Sequence, residues 1–572
     1  MRRSGRKTLP RLLLAATMLI GAPALAAEVT FERLVNADKE PQNWLMNHRT
    51  YDGQRFSPLD QINKQNVRSL HVAYAVALGG SAASENIEAT PLVEDGFLYI
   101  VDDWGIVYKI DVRSGEAGRI VWHMDPKQEK PPIRSNRGVA LAGNNVISVA
   151  SWPARIIATD KDTGKVVWET NMQDQPDLEL NAAPLVVKDK VFSGSSGGDH
   201  GTRGWIAALD AATGKVVWKK FTVPAPGEPG SETWKDGHNA WQTGGGTMWT
   251  TGTYDPASNQ VFWGTGNPVP MFDPTYRPGD NLYTNSIISW NPDDGRMNWY
   301  FQYTPGDGWD YDSISTHIII DANVNGETRR LLTQSNRNGH VYTMDSHNGQ
   351  MLLAKPYTVV NWTKGIDQKT GKPVEYVPNA DRQLYAGVAT ATLEHNNVRQ
   401  CPTLGGGNNF WPSSYSPKTK LLYIPSDSGC NQLKIDPSLS GPAGVWKGGV
   451  ATTSERVEGD VVAFDPLTGE VKAIAHWPFA GHAGTVATAG GLVFAAFADG
   501  TFAAFDDETM EMKWKINMGS GFTAPPISFA VNGKQYIAIA TGLSRYARAT
   551  LLKSPEAAEL RNSTVLYVFT VD

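Results

Sequence analysis

The chain has 572 residues, a formal net charge of −6, 41% hydrophobic residues and two cysteines. An acidic balance argues against nucleic acid and anionic lipid as partners, since both call for a positive face. Two cysteines without suitable histidine spacing cannot build a structural zinc site, and no CxxCH is present to hold a covalent haem.

The first 27 residues read as a secretory signal peptide. Arg2, Arg3, Arg6, Lys7 and Arg11 precede an apolar run from Leu12 to about Ala22, followed by Ala24-Leu25-Ala26. That run is shorter than the roughly 20 residues a spanning helix needs, which favours cleavage over retention as an anchor. The expectation is a soluble periplasmic protein, residues 28–572, and no later stretch is apolar enough to span a membrane. Removal of the leader's five basic residues takes the net charge from −6 to about −11, which would suit a basic soluble partner. In an oxidising compartment Cys401 and Cys430 are most simply one disulfide.

Beyond the leader one pattern recurs. ATDKDTGKVVWET, ALDAATGKVVWKK, SWNPDDGRMNWYF and AFDDETMEMKWKI share a strand, an Asp or Asn, a short turn and a strand bearing Trp. KIDVRSGEAGRIVWHM, TMDSHNGQMLLAK and AFDPLTGEVKAIA are degenerate copies. Asp or Asn opens such a turn by bonding its own backbone, Gly accepts the positive φ beyond it, and Trp offers a broad face on which the next sheet can pack. The turn residues fall at Asp111, Asp160, Asp210, Asn291, Asp345, Asp465 and Asp506, mostly about 40 to 55 residues apart. The Asp345–Asp465 gap is twice as long and is expected to hide an eighth unit containing both cysteines. The repeat predicts a single all-β domain over 28–572, an eight-bladed β-propeller.

Motifs for nucleotide, phosphate-loop and zinc-protease chemistry are absent. Four segments break the repeat and are rich in polar groups: GSSGGDHGTRG (194–204), TGGGTMW (243–249), GTGNPVPMF (264–272) and TPGDGWDYDS (304–313). They supply Asp199, Asn267, Asp310 and Asp312, hard oxygen donors suited to a calcium-like ion. Asp and Asn beside Gly also serve as ordinary turn residues, so the residues alone leave both roles open.

These segments, with QNWLMNHRTYDGQRFSPLDQIN near the start and GSGFTAPPISFAVNGKQYIAIATG near the end, resemble the pyrroloquinoline quinone (PQQ)-dependent alcohol dehydrogenases. The turn repeats are similar to that family's tryptophan-docking motifs. The resemblance implies a PQQ- and metal-dependent enzyme oxidising an alcohol and passing electrons to an external acceptor such as a soluble cytochrome c. It implies that Trp249 is the floor on which the quinone stacks. Glu88, Arg137, Ser196, Gly197, Gly198, Thr247 and Asn409 would surround its rim, and Arg337 would bond its carbonyls. Asp199 and Asn267 would hold the ion, and Asp310 would be the general base. The Cys401–Cys430 spacing also matches a family disulfide.

The chain departs from the family in four places. The adjacent Cys-Cys pair that roofs the quinone is replaced within EKPPIRSNRGVA, and the metal-binding Glu is Asp199, one methylene shorter. A Trp over the substrate side is His482, which would either line the substrate pocket or be a packed core histidine. Asp312 resembles the extra carboxylate of lanthanide-using members. The expectation is Ca2+, with a lanthanide ion as the alternative, and a mouth wide enough for bulky or secondary alcohols. The competing readings are a sugar or aldehyde quinoprotein and a non-enzymatic propeller scaffold.

Overall fold

The computed structural model describes residues 28–79, 86–130, 136–385, 390–441, 446–543 and 563–572, with Lys553 and Leu560. The expected signal peptide, residues 1–27, lies outside the described residues. Within them the fold is all-β, with one short α-helix (Phe31–Val35) and a few 3-10 turns. No described helix is long and apolar enough to cross a membrane.

The repeat forms up-and-down sheets. The first runs Leu92–Glu94, Phe97–Val101, Val107–Asp111 and Arg119–Met124, each strand antiparallel to the next. The same order recurs over 140–171, 185–221, 253–302 and 318–356, and again over 414–477 and 485–517. Burial falls outward: Leu185–Val187 is wholly buried, whereas most of Val216–Phe221 is exposed. First strands of successive sheets touch, as Ala140–Ala142 does Leu185–Val187. This is the radial packing of a β-propeller.

Each Asp or Asn turn lies between the third and fourth strands of its sheet. Asp210 Oδ1 accepts from the Thr213 N–H at 2.8 Å and the Thr213 hydroxyl at 2.7 Å. The tryptophans join neighbours: Trp122 Nε1 donates to Lys161 O (2.9 Å), Trp168 Nε1 to Ala211 O (3.1 Å) and Trp218 Nε1 to Pro292 O (3.3 Å). Each bond crosses from the fourth strand of one sheet to the turn of the next. At Gly214 (φ +72°) a Cβ would stand 2.4 Å from the Trp168 ring, so the turn needs glycine for both conformation and contact.

One expectation is corrected. Among the described residues the Asp345–Asp465 gap holds no additional four-stranded unit. It carries the first three strands of the sheet whose turn is Asp465, namely Ser414–Ser416, Leu421–Ser428 and Glu458–Phe464. Within it lies a small sheet of Val398–Gln400, Asn431–Ile435 and Gly449–Thr453, beside which the Cys401–Cys430 disulfide is formed. The remaining four-stranded sheet joins distant segments: His71–Ala77 pairs antiparallel with Val565–Thr570, next to Lys534–Ala540 and Ile527–Val531. Its third and fourth strands share no connection, so no turn motif exists to mark it.

Two predictions follow from these contacts. Trp168→Ala should cost about 2–4 kcal/mol, allowing for its half-burial, and lower the thermal midpoint. Gly214→Ala should also destabilise, but measurably less in the Trp168→Ala background, because the ring it strikes is gone; equal costs in both backgrounds would refute the contact. His317 is fully buried, within 3.2 Å of the Tyr303 hydroxyl, and burial pushes its pKa down from 6.5 to about 3. The unfolded chain therefore binds a proton there that the folded chain refuses, and stability is lost as pH falls from 6.5 toward 3. Denaturant titrations should show His317→Gln with a shallower loss than the parent in that window.

Candidate active site

In an up-and-down sheet, the loop entering the first strand and the loop joining the second to the third emerge at the same end. The sequence-derived site residues all occupy those two loop classes. Glu88, Arg137, Thr247, Trp249, Asp310, Asp312 and Asn409 precede first strands. Ser196, Gly197, Gly198, Asp199, Asn267 and Arg337 lie between second and third strands. The docking turns fall at the opposite end. All thirteen of these residues line one cavity of about 430 Å³, within the range of small-molecule and cofactor sites.

Local sequence explains several placements. Gly197 has φ +86°, and a Cβ there would stand 2.2 Å from Asp177 O, so only glycine lets the 196–199 loop close over its neighbour. Asp310 also lies in the left-handed region, at φ +69°, an uncommon conformation for a residue with a side chain. Asp307 holds that turn, its two oxygens accepting the Trp309 and Tyr311 N–H groups at 3.1 Å each.

One guanidinium organises the charges. Arg337 Nη1 is 2.5 Å from Asp312 Oδ2, and its Nη2 is 3.0 Å from Asp310 Oδ2 and 2.5 Å from Leu404 O. Asp312 also accepts the Trp249 Nε1–H at 3.1 Å and the Asn267 main-chain N–H at 2.5 Å. On the other side Arg137 pairs with Glu88 at 2.8 Å and lies 4.6 Å from the Trp249 ring centroid and 4.8 Å from that of Phe410. Asn409 serves its own loop, donating to Gly405 O and accepting from the Phe410 N–H.

Burial pushes the Asp310 carboxyl far above its ordinary range, against the pull of Arg337 and with Asp312 and Asp199 adding to the rise. Burial likewise takes Asp312 up to about 6, again opposed by Arg337. Asp310 and Asp312 share the Arg337 guanidinium with Asp199 close enough to add to the repulsion, and a cation of charge two or more would relieve it. Hard oxygen donors in a buried cavity over an indole face fit a calcium-like ion beside a planar anionic cofactor. The fit is one of chemistry, not yet of convergence: the oxygens of Asp199, Asp310 and Asp312 do not gather within 4.8 Å of one another. The described group that does, Asp506, Asp507 and Glu508, is already met by Lys64 Nζ at 3.1, 2.9 and 3.2 Å.

His482 does not belong to the cavity wall. It is fully buried, stacked on Trp411 at 4.2 Å with its Nε2 2.6 Å from Asp427 Oδ2. A buried carboxylate partner and a coplanar indole hold the imidazole within the protein, which favours the packed-core reading over the substrate pocket. The stretch that replaces the adjacent Cys-Cys pair, residues 131–135, lies outside the described residues.

The cavity also has walls that the sequence did not announce. Met271, Phe272, Leu404, Phe410, Val450 and Ala451 form an apolar side, much of it supplied by the disulfide-linked insert. Glu179 lines it too, receiving the Trp152 Nε1–H at 3.1 Å. Phe410 sits inside GGGNNFWP and could have been found there; the others carry no motif.

Comparison with known proteins agrees with this geometry. Residues 44–361 and 459–537 match the family described as "PQQ: Glucose/ethanol/alcohol dehydrogenase, beta-propeller domain". The chain is 34% identical to the quinohemoprotein alcohol dehydrogenase ADH-IIG of Pseudomonas putida, over 97% of this chain and 81% of that one. It is 34% identical to a lanthanide-dependent methanol dehydrogenase of Methylacidiphilum fumariolicum, over 93% of this chain and 89% of that one. Its fold superposes on a europium-containing methanol dehydrogenase with a TM-score of 0.86 at 29% identity, covering 94% of this chain and 100% of the other. The chain belongs to the PQQ-dependent quinoprotein alcohol dehydrogenases, oxidoreductases that act on CH–OH donors.

Proposed function

We propose that this protein is a periplasmic, Ca2+-dependent quinoprotein that oxidises bulky or secondary alcohols to aldehydes or ketones and hands the electrons to a soluble cytochrome c-like acceptor. It is read as a single eight-bladed domain over 28–572, with residues 1–27 as a cleaved leader. The observation that carries the reading is one cavity in which Trp249, Arg337 and three acids meet in a fold of this family.

PQQ, when bound, supplies the two-electron oxidant, and the ion a Lewis acid beside it. Asp199 and Asn267 would hold the ion. The Asn267 amide spends its nitrogen on Pro268 O (3.1 Å), so its oxygen is the atom it can offer. Trp249 presents a flat face for stacking, and Arg137, paired with Glu88, lies over the Trp249 ring. Asp310 takes the hydroxyl proton of the alcohol, being able to accept once a cation and Arg337 together outweigh its burial. The hydrophobic side, from Met271 to Ala451, receives the alcohol's carbon chain and keeps water from the reacting carbon. The absence of an adjacent Cys-Cys pair supports a wide mouth.

Purified protein loaded with PQQ and Ca2+ should reduce an artificial dye with secondary alcohols and fail to turn over methanol tightly; the reverse preference would overturn the substrate class. Asp310→Ala should lower kcat by about 10²- to 10⁴-fold, and unchanged turnover would remove Asp310 as the base. Chelation should abolish activity and Ca2+ should restore it, whereas restoration by La3+ or Ce3+ alone would reverse the choice of metal. Activity on sugars or aldehydes but not on simple alcohols would favour the sugar or aldehyde quinoprotein reading. Failure to bind PQQ would leave the scaffold.

A further inference from the structure

We propose that Tyr311 is a positioning residue for the chemical step: its hydroxyl fastens the turn carrying Asp310 to a segment, residues 400–407, that the Cys401–Cys430 disulfide ties to the propeller. The inference rests on the reading above that Asp310 is the base.

Asp310 needs such a hold. Its φ of +69° is costly for a residue with a side chain, so its neighbours must keep it there. Tyr311 is fully buried and held at each of its polar groups. Its N–H donates to Asp307 Oδ2 at 3.1 Å, its carbonyl accepts from Asn285 Nδ2 at 2.8 Å, and its hydroxyl donates to Pro402 O at 2.8 Å. Its ring lies nearly parallel to that of Trp309, 6.0 Å away. Trp309, on the other side of Asp310, accepts at its carbonyl from Gln400 Nε2 at 3.2 Å. Both neighbours of the base therefore end on residues adjacent to Cys401.

The same segment meets a second group of the site through its backbone. The Gly407 N–H donates to Arg337 O at 3.1 Å. At Gly406 (φ +82°) a Cβ would stand 2.7 Å from Arg337 O and 2.8 Å from its Cα, so glycine is what lets the two chains touch. None of these contacts uses a group assigned to the cofactor or the ion.

The bridge is what holds the segment. No regular strand runs from 401 to 413, and an irregular stretch is fixed by what it is tied to. On one side Cys401 N–H donates to Asn361 Oδ1 at 2.7 Å, and Asn361 N–H donates back to Cys401 O at 3.1 Å. On the other the tie is covalent: Cys430 stands two residues beyond Leu421–Ser428, a propeller strand whose Ser428 pairs with Glu458. The path from disulfide to base is Cys401, Pro402, Tyr311, Asp310. A displacement along it costs rate more than binding, because the base must lie within hydrogen-bond reach of the alcohol.

The test uses the full chain loaded with PQQ and Ca2+, well below its thermal midpoint. Single-turnover rate with excess alcohol, KM, PQQ affinity and amide hydrogen exchange over 307–313 are measured for each variant. Tyr311→Phe, which removes one oxygen, should slow the single turnover about ten- to a hundredfold while KM and PQQ affinity change by less than about threefold. Exchange over 307–313 should quicken. Cys401→Ala combined with Cys430→Ala should do the same, and adding Tyr311→Phe to that pair should cost much less than in the parent, since both act through one bond. Trp168→Ala, whose ring joins two sheets at the opposite end, is the control for stability alone: it should lower the midpoint and leave the single-turnover rate unchanged. An unaltered rate in Tyr311→Phe, additive effects with the cysteine pair, or equal slowing in Trp168→Ala would overturn the proposal. If the cysteine variant does not fold, rate and exchange in Tyr311→Phe decide. Exchange is read without PQQ as well, so a parent that oxidises no alcohol would sink the functional reading, whereas unchanged exchange in Tyr311→Phe would sink this one.

Discussion

Burying like charges together is the constraint around which this molecule is arranged. Asp199, Asp310 and Asp312 share one cavity, and burial pushes Asp310 and Asp312 upward against the pull of Arg337. Such a cluster survives only if the surrounding framework can hold it against its own repulsion. Asp310 in a left-handed turn pinned by Asp307, and Asp312 tied to three donors, are local forms of that restraint.

The fold meets this demand by separating two tasks between the ends of its sheets. At one end, turns opened by Asp or Asn receive the indole N–H of a neighbouring sheet, as Trp122 does at Lys161 and Trp168 at Ala211. At the other, loops free of that duty carry the polar residues. Residues far apart in the chain, Glu88 and Asn409 among them, can then face one cavity because each sheet is fixed by contacts that do not involve it. A loop can change its chemistry without disturbing what holds the sheets together.

The sequence revealed the parts governed by local rules. Asp-turn-Gly-Trp is a short-range signal with a mechanism, so seven turns could be placed. The sheet built from His71–Ala77 and Val565–Thr570 could not, because pairing across such a distance leaves no local mark. The polar segments could be read because glycine is needed where loops approach closely, as at Gly197. The apolar wall escaped notice: Leu404 and Val450 look like any other aliphatic residue until the insert is folded. His482 stayed between two readings for a related reason, since its partner Asp427 stands 55 residues away and nothing in AGHAGTVATAGG points to it.

The sheet that joins distant segments also bears on how the protein reaches its native state. Leu78 and Thr564 meet across 486 residues of sequence. Contacts of that span form late and slowly, because so much chain entropy is lost before any pairing is gained. Until they form, Val565–Thr570 has an unsatisfied edge that another chain could add to. The clasp that completes the circle is therefore also its most exposed point during assembly, and a partly made molecule is the one most prone to aggregate.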